Sequence, residues 1–366
     1  MGDLAASRRD AIRRQLALWG SVRTNDLAAQ FGVSERTVQR DLDAIATAYA
    51  TIKRVHGGLV TAAPQASDPE LRIGMLVPVS HYYYADVVAG AVASATDLNV
   101  RLVLGDYDYR EDLQSTALRR LGEVDLDGLI ATVDHDSEGY GQLQRLGMPA
   151  VVIERPWHRA RTPTVPAATA VDHIFSDHQA GAAIGLRHLT DLGHRSICCL
   201  LRPTATAVEL RRGLESVGAT VAGSATLQVL ELPIDDNREV LRPAVDEVVG
   251  ELIRRCRSGE ITAVFVHADW EALELGRALR RAGIAVPDQV SLLAYDGVIV
   301  ADAGLSAVSP QRHWIGRLAV ETMVDRLRGR GRLSHGQRPG TQLSVIPQLV
   351  VRSSTARSPR AEEHQQ

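Results

Sequence analysis

Eight short apolar runs recur between residues 73 and 296, each separated from the next by an amphipathic or polar stretch. They are IGMLVPV (73–79), VRLVLGD (100–106), GLIATV (128–133), AVVIE (150–154), SICCLL (196–201), LQVLEL (227–232), AVFVHA (263–268) and SLLAYD (291–296). Most are nearly continuous in apolar residues instead of alternating, the pattern of strands buried on both faces. The stretches between them, such as ADVVAGAVASATDL, QSTALRRLGEV, AGAAIGLRHLTDLG, RPAVDEVVGELIRRC and EALELGRALRRAG, carry apolar residues at helical spacing. Strand–helix alternation of this kind predicts an α/β body of parallel sheets covered on both sides. The number of units predicts two doubly wound parallel sheets in tandem, not one barrel.

The first sixty residues follow a different pattern. Ser7 is placed to cap a helix over 8–19 in which Ile12, Leu16 and Trp19 share a face, and Gly20 ends it. Thr24 opens a second helix, with Leu27, Ala28 and Phe31 on one side and Gly32 as its stop. Ser34 caps a third, with Glu35 in the first turn, where the helix dipole favours an anion. Helix, short glycine-containing turn, helix is the spacing of a helix-turn-helix. IKRVHGGLV follows, two β-like runs around Gly57-Gly58 that predict a hairpin. TAAPQASDPE (61–70) has no apolar period and reads as a linker. The expected domains are therefore a head at 1–60, a linker at 61–71, a two-lobed body at 72–355 and a disordered polar tail at 356–366.

Charge separates head from body. Residues 1–60 carry a net +3, and the remainder of the chain carries −6. A basic head on an acidic body fits a head that meets nucleic acid. No apolar run approaches the ~20 residues of a membrane span. The opening MGDLAASRRDAIRRQL lacks the apolar core of a signal peptide, so a cytoplasmic location is expected. Three cysteines, Cys198, Cys199 and Cys256, cannot build a disulfide framework and have no metal-ligand spacing.

DLAAQFGVSERTVQRDL followed by KRVHGG resembles the winged helix-turn-helix of DeoR-type repressors, a resemblance covering residues 7–60. The body resembles another family. IGMLVPVSHYYYADVVAGA, DHQAGAAIGLRHLTDLGHRSI, TAVFVHADWEALELGRALRRAGIAVPDQVSLLAYDG, LSAVSPQRHWIGRLAV and PQLVVRSST are similar to the effector domain of LacI-type repressors, which is related to type I periplasmic sugar-binding proteins. That resemblance spans about residues 72–355. It implies two lobes joined by three crossovers, a small-molecule effector in the cleft between them, and a homodimer formed through the lobes. It also implies an effector-binding aspartate at Asp296. Several positions depart from the family pattern. An Asn-Asp pair reads Ala268-Asp269, a double Asp reads Asp296-Gly297, and Leu210 stands where an arginine is usual, with Arg211 and Arg212 displaced from it. The linker lacks the apolar hinge helix typical of LacI proteins.

In the third helix Val38, Leu42 and Ile45 share one side, while Arg36 and Arg40 project from the other with Gln39 beside them. Arginine can pair bidentately with guanine and glutamine with adenine, so this face suits the major groove; Ser34 and Thr37 can reach phosphates. Asp41 lies toward the core flank and reads as a structural ion-pair or capping partner. On the hairpin, Lys53, Arg54 and His56 either contact phosphates and the minor groove or belong to a turn that simply needs its glycines.

Candidate effector residues cluster at strand ends, where open α/β sheets bind ligands. His81, Tyr82, Tyr83 and Tyr84 follow the first strand; their rings can stack on a sugar, although at least one tyrosine is expected to pack inward. Asp106, Asp134, Asp269 and Asp296 each follow a strand and can accept hydrogen bonds from vicinal hydroxyls, with helix capping as the competing role. Trp270, Arg155 and Arg211 complete the set. His173, His178, His188 and His194 have no metal-site spacing, and no metal or cofactor is expected. GxSxG, P-loop and GxGxxG motifs are absent, and GRGR at 329–332 reads as a loop. The expected function is a non-enzymatic transcriptional regulator, a repressor of carbohydrate-metabolism genes, that binds two operator half-sites and responds to a sugar. The alternative is a sugar-binding or sugar-converting protein without a regulatory role. As a transport protein it would need a signal peptide, and as an enzyme a catalytic motif.

Overall fold

The computed structural model describes residues 8–9, 11–13, 21–48, 52–55, 58–61, 70–79, 81–134, 138–156, 171–221, 225–233, 238–329 and 339–359. Residues 8–9 and 11–13 are helical; the remainder of the expected first helix lies outside the described residues. Strand β1 (Ser21–Arg23), helix α1 (Thr24–Phe31), helix α2 (Glu35–Ala48) and strands β2 (Ile52–Val55) and β3 (Gly58–Thr61) complete the head. β3 pairs antiparallel with both β1 and β2 in a three-stranded sheet of order β1-β3-β2. The β2–β3 hairpin is the wing anticipated at Gly57-Gly58. β1 is three residues long, too short to show a period in sequence.

The head has its own core. Ile12, Val22, Leu27, Val38, Leu42 and Ile45 are buried together, with Ala28, Phe31 and Val33 packed against them. Gly32 adopts φ +62°, and the Val33 N–H donates back to the Ala28 carbonyl at 3.2 Å. This left-handed C-terminal stop lets α1 turn sharply into α2. Asp41 is buried and accepts from Arg8 Nε at 2.6 Å and Arg9 Nε at 3.1 Å, so it clamps the first helix to α2.

The body continues with β4 (Leu71–Leu76), α3 (Tyr82–Leu98), β5 (Val100–Gly105), α4 (Glu111–Gly122), β6 (Gly128–Ala131), α5 (Glu138–Arg145), β7 (Ala150–Ile153) and β8 (Asp172–Ser176). Then come α6 (His178–Asp191), β9 (Ser196–Leu201), α7 (Ala205–Val221), β10 (Thr226–Glu231), α8 (Arg238–Arg257), β11 (Ala263–His267), α9 (Asp269–Arg281) and β12 (Ser291–Tyr295). β13 (Ser306–Ser309), α10 (Arg312–Leu327), β14 (Gln342–Val345) and β15 (Gln348–Val350) close it. Two six-stranded sheets result, of order β14-β8-β7-β6-β4-β5 and β10-β9-β11-β12-β13-β15. β5, β4, β6 and β7 pair parallel in the first sheet, and β10, β9, β11, β12 and β13 in the second, where β15 joins β13 antiparallel. Two compact units divide the chain: Met1–Ser80, Asp86–His173 and Gly316–Thr341 form one, and His81–Ala85, Ile174–Ile315 and Gln342–Gln366 the other.

In the first unit Leu76, Leu118, Leu121, Leu129, Ala131, Leu143 and Val152 pack one sheet face. In the second, both faces are covered: Leu200, Leu252, Val264, Leu275 and Leu292 on one side, Leu186, Leu210, Phe265, Leu293 and Tyr295 on the other. All eight apolar runs become strands; β9 ends at the expected boundary and the other seven end one to three residues before it. β8 and β13 were not anticipated because DHIFS and SAVS are not apolar runs. Asp172 within β8 is nonetheless fully buried, since Arg326 Nε donates to it at 2.7 Å and Thr341 donates its N–H and hydroxyl at 2.9 and 2.7 Å. Burial alone would raise its carboxyl; these donors hold it below the ordinary carboxylate range.

Two expected boundaries need correction. Thr61 and Leu71, assigned to the linker, are strand residues; 62–69 lie outside the described residues. The tail does not become disordered at 356. Ala356 donates its N–H to Ser291 Oγ at 3.0 Å, its carbonyl lies 3.1 Å from His194 Nε2, and the Ser358 N–H donates to the Leu192 carbonyl at 2.8 Å. Main-chain bonding, invisible in a polar composition, holds this segment; 360–366 lie outside the described residues. No described helix is long and apolar enough to cross a membrane.

Candidate functional site

On α2 the helical period sorts the side chains as anticipated. Val38 and Leu42 are wholly buried, Ile45 nearly so, and Arg36, Gln39 and Arg40 are exposed. Ser34 sits at the N-terminus, where its hydroxyl oxygen accepts from the Thr37 N–H at 3.2 Å and lies 2.9 Å from the Thr37 hydroxyl. Ser34 therefore caps the helix, and Thr37 is half-buried against it. The helix presents two guanidinium groups and a carboxamide to solvent from a fixed backbone. Lys53 and Arg54 fall on adjacent positions of β2, opposite Val60 and Leu59. Their side chains, and His56 entirely, lie outside the described residues.

In the first unit, Asp106 accepts the Val79 N–H at 3.0 Å and the Asp108 N–H at 3.3 Å, bonds that shape the loop after β5. Asp134 is exposed and pairs with the Arg155 guanidinium, which also donates to the Glu154 carbonyl at 2.8 Å. His173 Nδ1 lies 3.1 Å from the Arg155 carbonyl.

The second unit gathers more of the expected residues. The three tyrosines occupy the first turn of α3, so successive rings are rotated by about 100°. Tyr82 points its hydroxyl to Asp296 Oδ2 at 2.9 Å, and His81 stacks on its ring with centroids 4.4 Å apart. Tyr83 is buried, its hydroxyl 3.3 Å from Ser176 Oγ and its ring beneath the Arg312 guanidinium at 5.4 Å. Tyr84 is 2 % exposed and is the one of the three tyrosines that packs most deeply inward.

Asp296 follows β12 in a left-handed conformation, φ +103°, and Gly297 continues at φ +72°. A Cβ on Gly297 would stand 3.0 Å from Ser309 Cβ, so the close approach and the left-handed backbone favour glycine where a double Asp was the family expectation. Arg312 Nη1 donates to the Asp296 carbonyl at 2.6 Å. Asp269 is fully buried and accepts three main-chain N–H groups, from Gly297 at 2.9 Å, Val298 at 2.6 Å and Ile299 at 2.8 Å. Both its oxygens thus hold the loop after Asp296. Burial pushes the Asp296 carboxyl up to about 8, with the neighbouring Asp269 charge adding to the effect. Burial also raises Asp269, against the pull of its three N–H donors. Burial, then Asp296, Asp269 and Glu271, raises the Tyr82 phenol.

Trp270 is 52 % exposed in the first turn of α9. Arg211, on α7, pairs with Glu231, and Arg212 with Glu209 at 2.7 Å. Leu210, where the family pattern has an arginine, is core. Beneath the strand ends His178 Nδ1 lies 2.7 Å from the Tyr295 hydroxyl, and His267 packs edge-on to the same ring. Burial, then the neighbouring His178, pushes His267 down to about 3, leaving it neutral. The other two histidines of the sequence cluster also have hydrogen-bond partners: His188 with Thr355, and His194 with Thr262 and Ser291. Among the described residues no group of three His, Cys, Asp or Glu is placed to hold a metal ion. Ser176, the last residue of β8, and Arg312, which opens the helix after β13, were missed in sequence because neither strand is an apolar run.

Two domain profiles match the chain, a DeoR-like helix-turn-helix domain over residues 8–65 and a periplasmic binding protein-like domain over residues 186–355. Among curated relatives, the helix-turn-helix transcriptional repressor PurR of Photobacterium profundum is 26% identical over 344 residues, covering 90% of this chain and 97% of its own. Among solved structures, a LacI-type regulator from Alkaliphilus metalliredigens complexed with D-xylulofuranose aligns with a TM-score of 0.61 at 18% identity, over 78% of this chain and 98% of its own. A dimeric Lac repressor aligns with a TM-score of 0.61 at 19% identity, over 79% and 100%. Head and body together define a helix-turn-helix transcriptional regulator. In particular, this chain joins a DeoR-like DNA-binding head to a LacI-like, periplasmic-binding-protein-like body.

Proposed function

We propose that the protein represses carbohydrate-metabolism genes by binding operator DNA as a homodimer across two half-sites, and that a sugar relieves repression. The observation that carries this reading is the outward face of α2, where Arg36, Gln39 and Arg40 stand exposed over a packed head core. These three read base edges in the major groove, Ser34 and Thr37 set the start of the helix against a phosphate, and Lys53, Arg54 and His56 on the wing contact the backbone or minor groove. The sugar binds the second unit at the strand ends, against Asp296, Tyr82, His81 and Trp270. The D-xylulofuranose bound by one structural neighbour supports the ligand class, and the dimeric Lac repressor supports the assembly. A non-enzymatic role accords with relatives named as transcriptional regulators.

Fluorescence anisotropy with the DNA upstream of its own gene tests the reading. Binding is expected at moderate salt, with log affinity falling linearly against log salt. Binding unchanged by Arg40→Ala, or none at all, refutes the assignment.

A further inference from the structure

The charges around Asp296 narrow the chemistry of the effector, an inference that rests on the proposed sugar site. Three acids gather at this end of the second unit: Asp296 accepts from the Tyr82 hydroxyl at 2.9 Å, Asp269 accepts the N–H groups of Gly297, Val298 and Ile299, and Glu271 accepts the Ala268 N–H at 3.2 Å. The cations near them are committed. Arg312 donates to the Asp296 carbonyl and lies over the Tyr83 ring, and Arg202 faces Glu271 at 3.6 Å. The two arginines expected from sequence to meet an effector, Arg155 and Arg211, are paired with Asp134 and Glu231. Among the described residues, a phosphate or carboxylate at Asp296 would meet acids without an uncommitted guanidinium. Hydroxyl groups, by contrast, suit a buried carboxyl that lacks donors. Here one donor is already in place: among the described residues, the Tyr82 hydroxyl is the side-chain donor to the Asp296 carboxyl. Tyr82 is half-buried at the first position of α3, and its hydroxyl makes the same kind of bond that a sugar hydroxyl would.

We infer that the effector is an uncharged polyhydroxylated compound, free of phosphate and carboxylate, and that one of its hydroxyls displaces the Tyr82 hydroxyl from Asp296. Tyr82 is then an internal competitor that sets the concentration at which the effector acts.

The experiment uses the full chain in thermal-shift and calorimetric titrations. Uncharged mono- and disaccharides are compared with phosphate esters: D-ribose with ribose 5-phosphate, D-xylulose with xylulose 5-phosphate, and D-glucose with glucose 6-phosphate. At least one uncharged sugar is expected to bind, its ester at least about tenfold more weakly. Tyr82→Phe is expected to bind that sugar about fivefold more tightly, because the internal competitor is gone. Asp296→Asn is expected to lose the response with its circular dichroism unchanged. An ester that binds more tightly than its parent, silence from every uncharged sugar, or weaker binding by Tyr82→Phe overturns the inference. DNA binding is measured on the same preparations without sugar. Its loss in the wild-type chain refutes the regulator reading, whereas its retention beside a preferred phosphate ester refutes only this inference.

Discussion

The DNA-binding head and the proposed effector end of the second unit handle charge in opposite ways. In the head the acid is satisfied and the cations face outward: Asp41 is buried between Arg8 and Arg9, while Arg36 and Arg40 are exposed. In the second unit the cations are committed and the acids are buried: Asp269 accepts three main-chain N–H groups, and Asp296 is served by a phenol. An outward cation attracts a polyanion at long range, which suits a surface that searches DNA. A buried acid with few donors awaits a ligand that supplies them, which suits selection of a small neutral molecule. The difference also decides which region is legible in sequence, since a solvated helix face follows a period and a strand-end cluster does not.

Four measurements sharpen or break this contrast. The largest effect is expected from Leu42→Ala, which empties a fully buried position of the head and should destabilise it by about 2–5 kcal/mol. DNA binding should vanish while the sugar-dependent shift of the body persists in calorimetry; loss of both would end the separation of the two regions. Next, Arg36→Ala and Arg40→Ala should each weaken operator binding by about 1–3 kcal/mol and relax base preference at one position, read by anisotropy on operator variants. If either variant only lowers the salt slope, its side chain contacts phosphate instead of a base.

A third, pH-dependent effect belongs to the second unit. Asp296 sits in the ordinary carboxylate range when unfolded and near 8 when folded, so as pH rises the unfolded chain loses its proton first. The stability associated with that proton is full below the unfolded value and is lost as pH climbs through about 8. Thermal unfolding of the effector-free protein should therefore shift downward between about pH 4 and pH 8, and Asp296→Asn should flatten that limb. His267 has the opposite sign. Its folded value near 3 lies below the unfolded one, so its contribution is present at neutral pH and is lost on acidification. The smallest effect is expected for Trp270→Ala. Half its surface is exposed, so stability should change by no more than about 0.5 kcal/mol while effector affinity falls; unchanged affinity removes Trp270 from the site.

The eight apolar runs and the α2 period were legible because each reports burial residue by residue along one element. Tyr82, Tyr83 and Tyr84 show where that legibility stops. As a string they are equivalent aromatics beside a strand end; on a helical turn they diverge to a carboxyl, a serine–arginine pair and the core. Asp269 and Asp296 likewise follow strands in the same manner, yet one locks a loop and the other is left nearly without donors. β8 was hidden because its buried Asp172 depends on Arg326 and Thr341, more than 150 residues away.

By itself the sequence determined the two-part architecture, the parallel sheets and the face that α2 turns to solvent, because local period and composition encode which side of an element meets water. Tertiary structure alone decided which acids and arginines are already paired and which aromatic ring reaches Asp296. Those properties depend on residues far apart in the chain, and only folding sets the distances and burial that decide them.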